Sequence, residues 1–136
     1  MAGEMELNGI AKLLVDEAKR RSWPSSQRSY GPEEDHEAEV GSVQLELPVP
    51  SRDAHRIRVL QRGNTIEIAY DDGLPPGPAE AQFVFKPGEE AGAIGEAFDF
   101  VDELRDGRVL AVREPLAWWV RLLARNSDTA LRFRRA

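Results

Sequence analysis

Val43-Gln44-Leu45-Glu46-Leu47-Pro48-Val49, Arg56-Ile57-Arg58-Val59-Leu60-Gln61 and Thr65-Ile66-Glu67-Ile68-Ala69-Tyr70 are the runs on which the fold turns. In the first, Val43, Leu45, Leu47 and Val49 alternate with polar residues and Pro48, the period-two signature of a half-buried strand. Pro48 has no backbone N–H, which confines the distal end of that strand to a sheet edge or a terminus. In the second run Ile57 and Val59 face one way while Arg56 and Arg58 face the other. Gly63-Asn64 then supplies a two-residue turn suited to a tight hairpin, and Ile66, Ile68 and Tyr70 continue the apolar face on its return.

Towards the C-terminus, residues 71–78 form a stiff loop of turn residues, followed by a strand over 81–86 with Phe83 and Phe85 inward. Pro87-Gly88-Glu89-Glu90 reads as a helix start, with carboxylates in the electropositive first turn. Over residues 89–105, Ile94, Ala97, Phe98, Val101 and Leu104 make one apolar stripe. Glu96, Asp99, Asp102, Glu103 and Asp106 mostly cover the opposite side. Gly107 is a natural cap, residues 108–112 a short fifth strand and residues 115–125 a final helix.

Towards the N-terminus, Leu7, Ile10, Ala11, Leu14 and Ala18 recur at helical spacing, and Trp23-Pro24 ends the pattern. Residues 24–41, polar and then strongly acidic, offer nothing to a core and read as a linker that tethers the opening helix loosely. The expected organisation is an N-terminal helix (1–23), an acidic linker (24–41) and an α+β domain (42–136). That domain is expected to hold an antiparallel sheet of about five strands, a meander then β-α-β, packed by one or two helices.

Composition narrows the chemistry. A chain of 136 residues without cysteine excludes disulfides, thiolate zinc sites, iron–sulfur ligation and a cysteine nucleophile. No apolar run approaches the roughly 20 residues that span a bilayer, and the first residues are acidic where a secretory signal is basic. A soluble, cytoplasmic protein without a membrane partner is the expectation. Fifteen arginines against three lysines point to a GC-rich bacterial genome. The net charge is −6, yet residues 108–136 hold seven arginines against Glu114 and Asp128. Phosphate would be repelled by most of such a surface, so nucleic acid is disfavoured and a partner with a basic surface is favoured.

Each candidate for chemistry meets a stronger structural explanation. Ser51, Asp53 and His55 lie too close in sequence to converge as a triad and read as turn residues. His36 sits in an acidic, solvated stretch without ligand spacing. The pairs Asp71-Asp72, Glu89-Glu90 and Asp102-Glu103 read as solvated surface, because acid–base work needs one carboxyl desolvated. Gly88, Gly92 and Gly95 match no phosphate-loop spacing and are expected to serve close helix–sheet packing. No catalytic residue, metal ligand or cofactor is expected, and no stretch carries a motif specific enough to name a family.

The most unusual local feature is Trp118-Trp119, whose helix would carry an apolar edge of Trp118 and Leu122 flanked by Arg121 and Arg125. The leading expectation is a non-catalytic interaction module. It would use Glu96, Asp99, Asp102, Glu103 and Asp106 against a basic partner, as an immunity or antitoxin protein covers a nuclease site. The tryptophan helix would serve self-association. The alternatives are a small-ligand binder or enzyme and a homodimeric structural subunit. The first would have a pocket lined by Phe83, Phe85, Phe98 and Tyr70 and anchored by Arg56 or Arg58; the second would pair through Trp118 and Leu122.

Overall fold

The structure, a computed structural model, describes residues 9–29, 42–74, 77–115 and 129–136. The elements run α1 (Gly9–Arg20), β1 (Ser26–Ser29), β2 (Val43–Val49), β3 (Arg52–Arg62), β4 (Thr65–Asp71), β5 (Ala79–Val84), α2 (Glu90–Asp106), β6 (Val109–Pro115) and β7 (Thr129–Arg135). Strands β1 to β5 form an antiparallel meander in chain order, and β6 pairs with β7 in a second, two-stranded sheet. The fold is α+β, built on a five-stranded antiparallel sheet.

The alternating runs land where their period puts them. Val43, Leu45, Leu47, Ile57, Val59, Ile66 and Ile68 are fully buried on one face of the sheet, beneath the helices. Arg56, Arg58, Glu46 and Glu67 lie on the other face, where Arg58 pairs with Asp71 and Arg62 with Glu67. Arg62 pairs across the ladder with Thr65, and Gly63 takes a positive φ of 57°, as the tight hairpin turn requires.

The fifth strand of the sheet is not the one read from the pattern. Ser26–Ser29, read as linker, pairs with residues 43–46 and forms the β1 edge. Its sequence, Ser-Gln-Arg-Ser, carries no apolar alternation, because an edge strand needs only backbone partners. The strand expected at 108–112 extends to Pro115 and pairs with the basic tail from Thr129 to Arg135. The helix expected over 115–125 and most of the acidic stretch lie outside the described residues.

Nor is the opening helix loosely tethered. Ala11 and Leu14 are fully buried, and α1 packs on α2 and β2. Its C-terminus closes in a Schellman motif. The Trp23 N–H donates to the Ala18 carbonyl at 3.1 Å, the Ser22 N–H donates to that of Lys19 at 3.0 Å, and Ser22 holds φ at 57°. This turn throws Trp23 back onto α2, where its ring stacks on Phe98 with centroids 4.3 Å apart. Helix α2 ends the same way at Gly107, with φ 79°.

The glycines of α2 do not serve close packing. A Cβ at Gly92 would meet no atom within 4 Å, so the sheet is not what excludes a side chain there.

Two comparisons test this packing by chemical denaturation. Leu14→Ala should cost about 2–5 kcal/mol, whereas Leu13→Ala, at a side chain 42 % exposed, should stay within about 0.5 kcal/mol. Equal, small effects would mean α1 is not part of the core. Gly92→Ala should stabilise the chain by roughly 0.5–1 kcal/mol, since alanine is the better helix former.

Candidate functional site: the carboxylates of α2 and the groove beside β5

Glu96, Asp99, Glu103 and Asp106 recur at spacings of three and four along α2, so a helix places them in one stripe. Asp102 lies beside the stripe on the side of α1. The five carboxylates have different surroundings. Asp102 accepts the Trp23 indole N–H at 2.8 Å and an Arg21 N–H at 2.7 Å, so it is structural. Glu103 accepts from Arg135 at 2.6 Å and Asp106 pairs with Arg108 at 3.0 Å. Asp99 approaches Arg21 at 3.0 Å yet stays 68 % exposed. Glu96 is exposed and has no ion-pair partner among the described residues. The sequence-derived stripe is therefore real, but its outward-facing part is Glu96, Asp99 and Asp106, of which only Glu96 has no ion-pair partner among the described residues.

Arg21 is the missed residue at the centre of this arrangement. Burial pulls its pKa down, but hydrogen bonds to Glu17, Asp102 and Asp99 outweigh that and raise it, so the guanidinium stays charged. It also sits 5.8 Å from the centroid of the Phe98 ring. A basic residue in the last turn was visible in the sequence; its reach across 81 positions to Asp102 was not.

Beside the stripe lies a shallow groove of about 160 Å³ lined by Val84, Phe85, Glu89, Gly92, Ala93 and Glu96. Val84 projects from the edge strand β5 with 67 % of its surface exposed. Lacking a side chain, Gly92 leaves the groove open, and Glu89 and Glu96 give its largely polar lining a negative charge.

A second polar cluster forms at the other end of the sheet. Between Pro48 and Val49 the β2–β3 register shifts, leaving residues 53–55 without partners on β2. Such bulges re-aim side chains, and here His55 Nδ1 lies 2.6 Å from the Tyr70 hydroxyl. Ser51 occupies the turn at φ 64°, and both it and Asp53 are exposed. Asp72, expected on solvated surface, is instead only 8 % exposed and takes two hydrogen bonds from Arg113, at 2.7 and 2.9 Å. Burial pushes the Asp72 carboxyl up, but Arg113 and the Leu74 N–H outweigh it and hold it below the ordinary carboxylate range.

The other sequence-derived positions separate. Phe98 is fully buried against Trp23, so it lines no open pocket, and Arg56 and Arg58 point from the opposite face of the sheet. Phe83 meets Phe100, which meets Phe133 of β7 edge-on at 5.0 Å. Trp118, Arg121, Leu122, Arg125 and His36 lie outside the described residues. Among the described residues no cluster of three or more histidine or acidic side chains is arranged to hold a metal, and no helix is long and apolar enough to cross a membrane.

The Asp72–Arg113 pair has a pH signature. Because the folded-state pKa of Asp72 is lowered, its stabilisation is complete above the ordinary carboxylate pKa and is lost as pH falls through the folded value. Asp72→Asn should cost about 1.5–3 kcal/mol near pH 7, the range for hydrogen bonds to a charged group. In urea denaturation the gap between the two proteins should close below about pH 4. A gap independent of pH would show that the carboxylate charge contributes nothing.

Comparison with protein-family models, curated proteins and solved structures finds no match, so the site is read from its own geometry.

Proposed function

We propose that this chain is a non-catalytic protein-interaction module that binds a partner with a basic surface, docking it on the groove between β5 and the first turns of α2. The observation that carries the reading is the groove itself, lined by the exposed carboxylates Glu89 and Glu96, by Gly92 and by the end of β5, where Val84 is 67 % exposed. A charged, concave surface with an exposed aliphatic residue at its margin fits the polar rim of a protein interface. Asp99, one turn further along α2, extends the acidic rim.

The distribution of charge supports the same partner. The described residues contain sixteen Lys and Arg and sixteen Asp and Glu, so together they are neutral in formal charge. The remaining eight carboxylates and two arginines, which make up the −6, lie outside them, and five of those carboxylates fall within residues 33–39. An acidic segment and an acidic-rimmed groove in one chain favour encounter with a cationic protein, and complementary charge accelerates and orients such docking. A protein that covers the basic catalytic surface of a nuclease, in the manner of an immunity or antitoxin protein, is the specific form of this reading.

Affinity capture from the native lysate at low and high salt, with wild type and variants in parallel, tests it. Wild type should retain one protein in stoichiometric amount that is released by high salt. Glu96→Lys/Asp99→Lys and Val84→Asp should each lose it while keeping the wild-type melting temperature within a few degrees. Retention of the same protein by both variants would overturn the groove as the docking site.

A further inference from the structure

At the end of the molecule remote from the groove, a cleft of about 310 Å³ opens between the β2–β3 turn and the junction of α2 with β6. Its size is at the lower end of that of small-molecule sites. Val49, Leu104 and Val109 form buried apolar walls and Leu110, 41 % exposed, a lip. Its polar lining is dominated by two arginines, Arg52 and Arg105.

These two differ from most arginines of the fold. Arg21, Arg58, Arg108, Arg113, Arg134 and Arg135 each pair with a carboxylate. Arg52 and Arg105 have no ion-pair or hydrogen-bond partner among the described residues. In Arg105 the Nε atom is withdrawn from solvent with no acceptor. A buried donor without an acceptor is uncommon in a folded protein and calls for a partner. Guanidinium groups bind carboxylate and phosphate oxygens through paired N–H donors. Tyr70 adds a hydroxyl to the lining; burial pushes its pKa up, against the opposing pull of Arg52, so it stays protonated at neutral pH. The one carboxylate in the lining, Asp106, is engaged by Arg108.

We infer that this cleft is a binding site for a small organic anion, a carboxylate or phosphate ester with an apolar body, held by Arg52 and Arg105 with its apolar part against Val109 and Leu110. This role is independent of the groove beside β5.

Amide NMR titrations with sodium octanoate, octyl phosphate and inorganic phosphate test the site. Saturable shifts confined to residues near Ser51, Arg52, Gly107 and Leu110 are expected from at least one octyl anion, and the arm that responds distinguishes carboxylate from phosphate. Inorganic phosphate should bind at least tenfold more weakly, having no apolar body. Arg52→Gln, on an exposed side chain, should weaken octyl-anion binding roughly tenfold without changing the fold, equivalent to about 1.4 kcal/mol. Arg105→Gln should do the same, its amide spectrum reporting whether the fold is kept. The absence of saturable shifts from both octyl anions, or unchanged affinity in the Arg52→Gln protein, would overturn the assignment.

Discussion

The stack of Trp23 on Phe98 is the contact on which the helical layer depends. Helix α1 is only twelve residues long, close to the length at which an isolated helix is marginal in water. It needs a fixed position over the sheet to bury Ala11, Leu14 and Ala18. The Schellman turn at Ser22 supplies it by reversing the chain so that the indole meets the Phe98 ring, with 17° between their planes. Asp102 then accepts from both the indole N–H and Arg21. A stacked aromatic pair contributes about 0.5–1.5 kcal/mol beyond its buried area, and hydrogen bonds to a charged group about 1.5–3 kcal/mol each. Together they fix α1 against α2 at one point, and the apolar faces of both helices close over β2, β4 and β5 around it.

That clamp also governs the electrostatics. Three carboxylates turned inward meet cations from distant parts of the chain: Asp102 meets Arg21, Glu103 meets Arg135 and Asp72 meets Arg113. The basic C-terminal segment, which looks in sequence like a separate patch, is largely the counter-charge of the acidic helix and its neighbours. On α2 and its N-cap, the exposed carboxylates without an ion-pair partner among the described residues are Glu89, at the N-cap, and Glu96, in the N-terminal half of the helix. Negative charge at Glu89 also interacts favourably with the helix dipole, so that carboxylate serves α2 whether or not a partner is bound.

The parts of the fold legible in the sequence are those in which local periodicity and burial coincide. Strands β2, β3 and β4, the Gly63-Asn64 turn, the apolar stripe of α2 and its Gly107 cap each follow from the spacing of neighbouring residues. Strand β1 did not, because an edge of Ser-Gln-Arg-Ser is held by backbone bonds and carries no pattern. The pairing of Arg113 with Asp72 and of Trp23 with Asp102 joins positions 41 and 79 residues apart, and a distant polar contact has no period to read. The same limit applied to the site. The carboxylate stripe was visible, but which of its members would be engaged internally depended on where Arg21, Arg108 and Arg135 arrived.

Helix α2 is held in place by Ile94, Ala97, Phe98, Val101 and Leu104 on one side, and the fold asks little of the other. On that exposed side the sequence has settled on features that do not maximise stability. Gly92 forgoes roughly 1 kcal/mol of helix propensity relative to alanine, and no neighbouring atom comes close enough to account for the missing side chain. Val84 faces solvent where a polar residue would be equally compatible with an edge strand. Either choice alone is an ordinary accident of composition. Both positions line one groove with Glu89 and Glu96, and the proposed partner would place its own side chains in the space that Gly92 leaves. Binding surfaces commonly carry such local losses of stability, which the packed face of the same element offsets. The buried stripe of α2 makes that arrangement possible, because a helix anchored on one side can give its other side to recognition.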